Sequence, residues 1–85
     1  MQTFTHIVRD PDGLHARPAG KFAKEAAKFD AAVTVHTEKG TADGKRLLSL
    51  MRLAAKRDTV LTVECDGMDE TAAAAHLRRF LEEML

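Results

Sequence analysis

Gly13-Leu14-His15-Ala16-Arg17-Pro18-Ala19 is the stretch that orders the rest of this 85-residue chain. Pro11 and Gly13 mark a loop before His15, and alanines and phenylalanines recur at helical spacing after it, so a loop-to-helix junction falls here. A helix start leaves its first backbone N–H groups unpaired and carries a partial positive charge. An anion is stabilised at such a place, and Arg17 adds a fixed charge with a planar fork of donors. Pro18 is tolerated in a first helical turn but biases Arg17 away from the helical region, which puts the helix start at Ala16 or Pro18. A histidine so placed is suited to carry a phosphoryl group. Its neutral ring is a nucleophile near neutral pH, and the helix terminus and Arg17 both disfavour the imidazolium form.

Upstream, Thr3 to Val8 is rich in β-branched residues and reads as a first strand, with Phe4, His6 and Val8 sharing one face. His6 on that face reads as a hydrogen-bonded or edge histidine. Downstream, the first helix runs to about residue 28, with Ala19, Phe22, Ala23, Ala26 and Phe29 as its inner stripe. Ala31 to Thr37 reads as a second strand with Val33 and Val35 inward and His36 on the polar side, and Thr41-Ala42 as a short third. Asp43 is a good N-cap for a second helix reaching about Ala55. Leu47, Leu48, Leu50, Met51, Leu53, Ala54 and Ala55 exceed what one buried face holds. Leu50, Leu53 and Ala54 are expected to face a sheet, leaving some of Leu47, Leu48 and Met51 exposed. An apolar surplus rimmed by Lys45, Arg46 and Arg52 suits docking. Thr59 to Cys65 is the clearest strand, and Asp69 is expected to cap a last helix through Met84, with Ala73, Leu77, Phe80, Leu81 and Met84 inward and His76 at the border. The order β-α-β-β-α-β-α predicts an α+β open-faced β-sandwich, helices covering one face of a four-stranded sheet.

The length supports a single domain over residues 1–85 with one modest core. Apolar content of 45% is that of a folded globule. No apolar run nears the roughly 20 residues that cross a bilayer, and the N-terminus does not read as a signal peptide, so membrane insertion is not expected and a cytoplasmic location is. A lone cysteine, Cys65, agrees with a reducing compartment. The formal net charge is zero but unevenly spread: residues 15–57 hold ten Lys/Arg against four Asp/Glu, and residues 58–85 hold two against seven. That polarity suits steering toward an acidic protein. Without Trp or Tyr, and without aromatics interleaved among the basic residues, nucleic acid is not an expected partner. The four histidines lack zinc-ligand spacing, so no metal is expected. No Gly-rich nucleotide loop is visible and no cofactor is expected. Ser49 is the only serine and lies in no nucleophile-elbow motif.

The seven residues from Gly13 to Ala19 closely resemble the active-site signature of the HPr family, the histidine-containing phosphocarriers of the bacterial phosphoenolpyruvate:sugar phosphotransferase system. The second helix start at Asp43-Gly44-Lys45-Arg46-Leu47-Leu48 falls at the family's spacing, and the resemblance spans essentially the whole chain. It implies an antiparallel sheet of order 1-4-2-3. It further implies that His15 accepts a phosphoryl group at Nδ1 from phosphorylated Enzyme I and passes it to IIA components for sugar uptake. In that scheme Arg17 stabilises the phosphate together with the Ala16 and Arg17 backbone, and Leu47, Leu48, Met51, Arg46 and Arg52 dock the partners. Such a protein is a stoichiometric intermediate, not an enzyme, and is expected to be a monomer. Many family members carry a regulatory serine one residue after the lysine equivalent to Lys45. Arg46 stands there instead, with no hydroxyl and the opposite charge to phosphoserine, so no serine switch is expected. The alternatives are a carrier of the nitrogen-regulatory branch, or a non-phosphorylated regulatory binding module on the same scaffold.

Overall fold

The computed structural model describes all 85 residues, Met1–Leu85. Four strands and three helices follow one another as β1 (Gln2–Ile7), α1 (Ala16–Ala26), β2 (Ala32–Thr37), β3 (Gly40–Asp43), α2 (Leu47–Arg52), β4 (Val60–Asp66) and α3 (Glu70–Met84). The strands form one antiparallel sheet in the order β1-β4-β2-β3.

Alternation of side chains along each strand gives the sheet two different faces. Phe4 is opposite Val63, Val63 opposite Val35, and Val35 opposite Ala42, so one buried row crosses all four strands. The next residues in register, Thr5, Thr62, His36 and Thr41, form the outer row. There His36 reaches Thr41 Oγ1 through Nδ1 and Glu64 Oε1 through Nε2, each at 3.0 Å. His6 lies in the inner set but is only half-buried. Burial pushes its imidazole below the ordinary value, against the opposing pull of a hydrogen bond with the Leu85 backbone. His6 lies on β1, an edge strand of the sheet, so the edge half of the expectation is met, while its Nε2 is buried without a hydrogen-bond partner.

The inner face is closed by α1 and α3. Ala19, Phe22, Ala23 and Ala26 from α1 meet Ala73, Leu77 and Leu81 from α3 in a single core of 21 buried apolar residues. Phe22 and Phe80 pack edge to face with centroids 6.1 Å apart, a geometry aromatic pairs favour. On the surface the same two helices are joined by His76 Nε2 and Glu25 Oε1 at 2.7 Å, with the His76 ring against Phe29. Cys65 is buried, and burial pushes its thiol up, away from reactive thiolate. No helix is long and apolar enough to cross a membrane.

Two sequence expectations are corrected. Asp43 does not cap the second helix: it ends β3, its Oδ1 accepts from the Lys45 N–H at 2.9 Å, and the cap position is Arg46. That helix is also short, six residues ending at Arg52, because the chain enters the left-handed region at Ala54 (φ 48°) and again at Asp58 (φ 74°). The turn swings Ala55 into the core and leaves Ala54 exposed, contrary to the expectation that Ala54 faces the sheet, while Leu50 and Leu53 are buried as expected.

Asp69 stands at the N-cap position of α3, but contrary to expectation its carboxylate makes no capping bond to that helix, because the α1–β2 connection claims it. It accepts from the N–H groups of Asp30 and Ala31, both at 2.8 Å, and so ties the α1–β2 connection to the start of α3. These bonds hold the Asp69 carboxyl below its ordinary value of 3.8. A lowered folded value means that the native state binds fewer protons than the unfolded one, so this contribution is present above the ordinary value and lost as pH falls through the folded one. Thermal unfolding from pH 7 to pH 2 should therefore show Asp69→Asn less stable than the wild type at neutral pH, with the difference shrinking below pH 3.8. A difference constant across that range would assign the effect to shape and not to charge.

Candidate functional site

The site is built where the 8–15 loop meets the turn after α2. Leu14 is buried, and its N–H donates to the Ala55 carbonyl at 2.8 Å. Gly13 beside it has φ +68°, and a Cβ there would sit 2.2 Å from the Ala55 oxygen, so only glycine permits this approach. The Gly13 N–H donates to the Asp10 carbonyl at 2.9 Å, and the Asp12 N–H to Asp10 Oδ1 at 2.8 Å, which closes an Asx turn. From the other side the Leu85 carbonyl accepts from the N–H groups of Arg9 and Asp10, while the Arg9 guanidinium donates to the Glu82 carbonyl at 3.0 Å. The loop is thus held between the turn after α2 and the end of α3.

His15 leaves this loop as the N-cap of α1, with extended backbone (φ −88°, ψ −176°). Its own carbonyl accepts the first helical bond, from the Ala19 N–H at 3.0 Å. The N–H groups of Ala16 and Arg17 lie ahead of that bond, and Pro18 has none to offer, so two amides remain for an anion at the helix start. Pro18 itself is buried. The His15 side chain keeps 42% of its surface accessible, which leaves the ring open to another protein. Arg17 is exposed in the first turn and forms no ion pair.

The surroundings of the ring are not uniformly positive, as the sequence led us to expect. Asp10 Oδ2 lies 3.9 Å from His15 Nε2, which puts a negative charge beside a ring that also stands at the positive end of α1. Sequence reasoning passed over Asp10 as loop. The signal was the Asp10-Pro11-Asp12-Gly13 run, a turn that bends the chain back on itself. Asp10, Asp12 and His15 have side-chain polar atoms within 4.8 Å of one another, with Asp12 exposed.

The second predicted set lies on α2. Leu47, Leu48 and Met51 are exposed by 39%, 69% and 39%. Arg46, Leu47, Leu48, Ser49 and Arg52 line one shallow cleft with Asp43. Leu47 Cδ1 is 3.9 Å from where a Cβ would stand on Gly20, one helical turn along α1 from Arg17, so this patch adjoins the His15 end of α1. Ser49 is half-buried and its hydroxyl accepts from the Asp43 N–H at 3.0 Å.

An open-faced sandwich whose first helix is capped by a half-exposed histidine is the architecture of a phosphocarrier. The profile of the PTS-HPr family, described as the PTS HPr component phosphorylation site, matches residues 2–83, and the chain belongs to the HPr family of phosphotransferase-system phosphocarriers. The phosphocarrier protein HPr of Mycoplasma capricolum is 35% identical over 79 residues, covering 93% of this chain and 89% of that one. The HPr of Haemophilus influenzae is 44% identical over 66 residues, 78% of each. Among solved structures, a mycoplasma histidine-containing phosphocarrier protein superposes with a TM-score of 0.94 at 33% identity, covering 96% of this chain and 93% of that one.

The Gly13–Ala55 approach makes a direct demand. Gly13→Ala should cost at least about 2 kcal/mol, from the positive φ and the contact with the Ala55 carbonyl together. Urea denaturation measures this, and an unchanged midpoint would show that the loop does not rest on Ala55.

Proposed function

We propose that His15 is the residue that carries the phosphoryl group in this phosphocarrier. The observation that carries the reading is the ring's position, half-exposed at a helix start with the Ala16 and Arg17 amides free and the Arg17 guanidinium unpaired. Phosphoryl transfer needs a nucleophile, in-line access and charge stabilisation. The open ring supplies the first two. The two amides and Arg17 supply the third, gaining strength as negative charge arrives at the ring. Stabilisation by two amides and one exposed guanidinium is moderate, which suits a group that must be passed on.

By likeness to the family, the donor is phosphorylated Enzyme I and the acceptors are IIA components, with Nδ1 as the phosphorylated atom. The protein acts once per phosphoryl group, as a stoichiometric intermediate and as a monomer in the cytoplasm. Leu47, Leu48 and Met51 form the apolar centre of the docking surface, and Arg46 and Arg52 its basic rim, matching an acidic partner. Arg46 in place of the family's regulatory serine, and a Ser49 hydroxyl already engaged by the Asp43 N–H, support a carrier without serine control.

Incubation with Enzyme I and labelled phosphoenolpyruvate should place one acid-labile phosphate on the wild type and none on His15→Ala; label retained by the variant would move the site elsewhere. In Arg17→Ala the rate of labelling should fall by at least about tenfold, the loss of one charge-assisted contact to phosphate. Leu47→Glu and Met51→Glu should weaken binding to Enzyme I in calorimetry while leaving the amide spectrum of the fold intact. Unchanged affinity would remove α2 from the docking surface.

A further inference from the structure

Asp10 is built into the site more firmly than a loop residue requires. Its Oδ1 accepts from the Asp12 N–H at 2.8 Å, its carbonyl accepts from the Gly13 N–H at 2.9 Å, and its N–H donates to the Leu85 carbonyl at 3.3 Å. With the residue fixed at three points, Oδ2 is the oxygen left over, and it is the one that faces His15 Nε2 at 3.9 Å. The Asp10 side chain is only 27% accessible, so the charge is partly shielded from water.

We propose that Asp10 is a positioning residue that holds the proton on His15 Nε2 and thereby keeps a phosphoryl group on Nδ1 transferable. The inference rests on the reading of His15 as the phosphorylated residue. In the free protein the carboxylate selects the tautomer with hydrogen on Nε2, which leaves the Nδ1 lone pair bare. That lone pair forms the P–Nδ1 bond as the bond from phosphorus to the donor's leaving atom breaks. The phosphorylated ring, still protonated at Nε2, carries a positive charge that Asp10 balances. On transfer, the lone pair of the acceptor nitrogen, or of water in hydrolysis, attacks phosphorus. The P–Nδ1 electron pair returns to the ring, and neutral imidazole leaves with its Nε2 hydrogen in place. Without that hydrogen the leaving group would be the far more basic imidazolate. The same carboxylate repels the phosphoryl oxygens, which acts in the same direction.

Other charges near the ring work differently. Asp12 belongs to the same cluster but forms no ion pair with it. Arg17 and the α1 amides favour negative charge at the helix start. Lys56 approaches through the turn after α2, where its Cα packs on Gly13, and Arg9 is drawn off to the Glu82 carbonyl at the end of α3. Asp10 is the carboxylate of the cluster that pairs with Nε2.

Asp10→Asn tests this well, because the asparagine carbonyl can keep the turn to the Asp12 N–H while the charge at Oδ2 is lost. The full-length wild type, Asp10→Asn, Asp12→Asn and His15→Ala proteins are treated with phosphoramidate, which phosphorylates histidine without a protein donor, and hydrolysis is followed by phosphorus NMR from pH 5 to pH 10. Hydrolysis should slow as Nε2 loses its proton. In Asp10→Asn the midpoint of that profile should move down by about half a unit to one unit, the scale of one charge at this distance. Above the midpoint, hydrolysis should be about 3- to 10-fold slower than in the wild type. A midpoint that stays in place, or that moves as far in Asp12→Asn, overturns the role of Asp10 while leaving His15 as carrier. Failure of the wild type to take an acid-labile phosphate, or its retention by His15→Ala, overturns both. Nitrogen-15 shifts of the unmodified wild-type ring provide a reading independent of any variant's folding: hydrogen on Nε2 supports the assignment, and hydrogen on Nδ1 overturns it.

Discussion

The contact between the loop before α1 and the turn after α2 is the constraint on which the site depends. Leu14 is buried and bonded through its N–H to the Ala55 carbonyl, and Gly13 has no side chain to keep the two backbones apart. An exposed histidine on a free loop would sample many orientations, and ordering it would cost entropy at every encounter with a partner. Here the residue before His15 is anchored in the core and the residue after it begins a helix. The ring is therefore open to solvent while its backbone is fixed on both sides, the combination that the phosphoryl transfer proposed for His15 requires.

That arrangement also explains why α2 ends where it does. Left-handed backbone at Ala54, a residue that adopts it at a cost, turns the chain so that Ala55 faces inward and presents its carbonyl to Leu14. The helix stops at Arg52, with Leu47, Leu48 and Met51 exposed along it. The exposed apolar patch and the anchored histidine loop are linked through one irregular turn. The ring's electrostatics follow from the same loop: His15 stands at the positive start of α1 with the Asp10 carboxylate 3.9 Å from its Nε2.

Much of this was legible in the chain itself. Alternation in the segments that became β1 and β2 pointed to the inner residues Phe4, Val33 and Val35, because a half-buried strand needs a period of two. Helical spacing likewise defined the stripes of α1 and α3. The histidine at a loop-to-helix junction, followed by Arg17 and Pro18, marked the site, since helix starts have local chemical signatures.

What the sequence could not decide were the places where distant backbone overrules local preference. Asp43 has the chemistry of an N-cap, yet the β2–β3 pairing claims it as strand, and its side chain turns to the Lys45 N–H. Ala54 and Ala55 have identical side chains, so no pattern could say which one is buried; the turn that packs against Leu14 settled it. Asp10 and Asp69 look like ordinary loop and cap residues, and their roles arise from chain segments far off in sequence: Leu85 holding the first, Asp30 and Ala31 claiming the second. Periodicity and capping chemistry act over a few residues and are written in the chain. Which carboxylate faces which ring or amide depends on how the sheet brings separate loops together, and that is fixed only when the fold is complete.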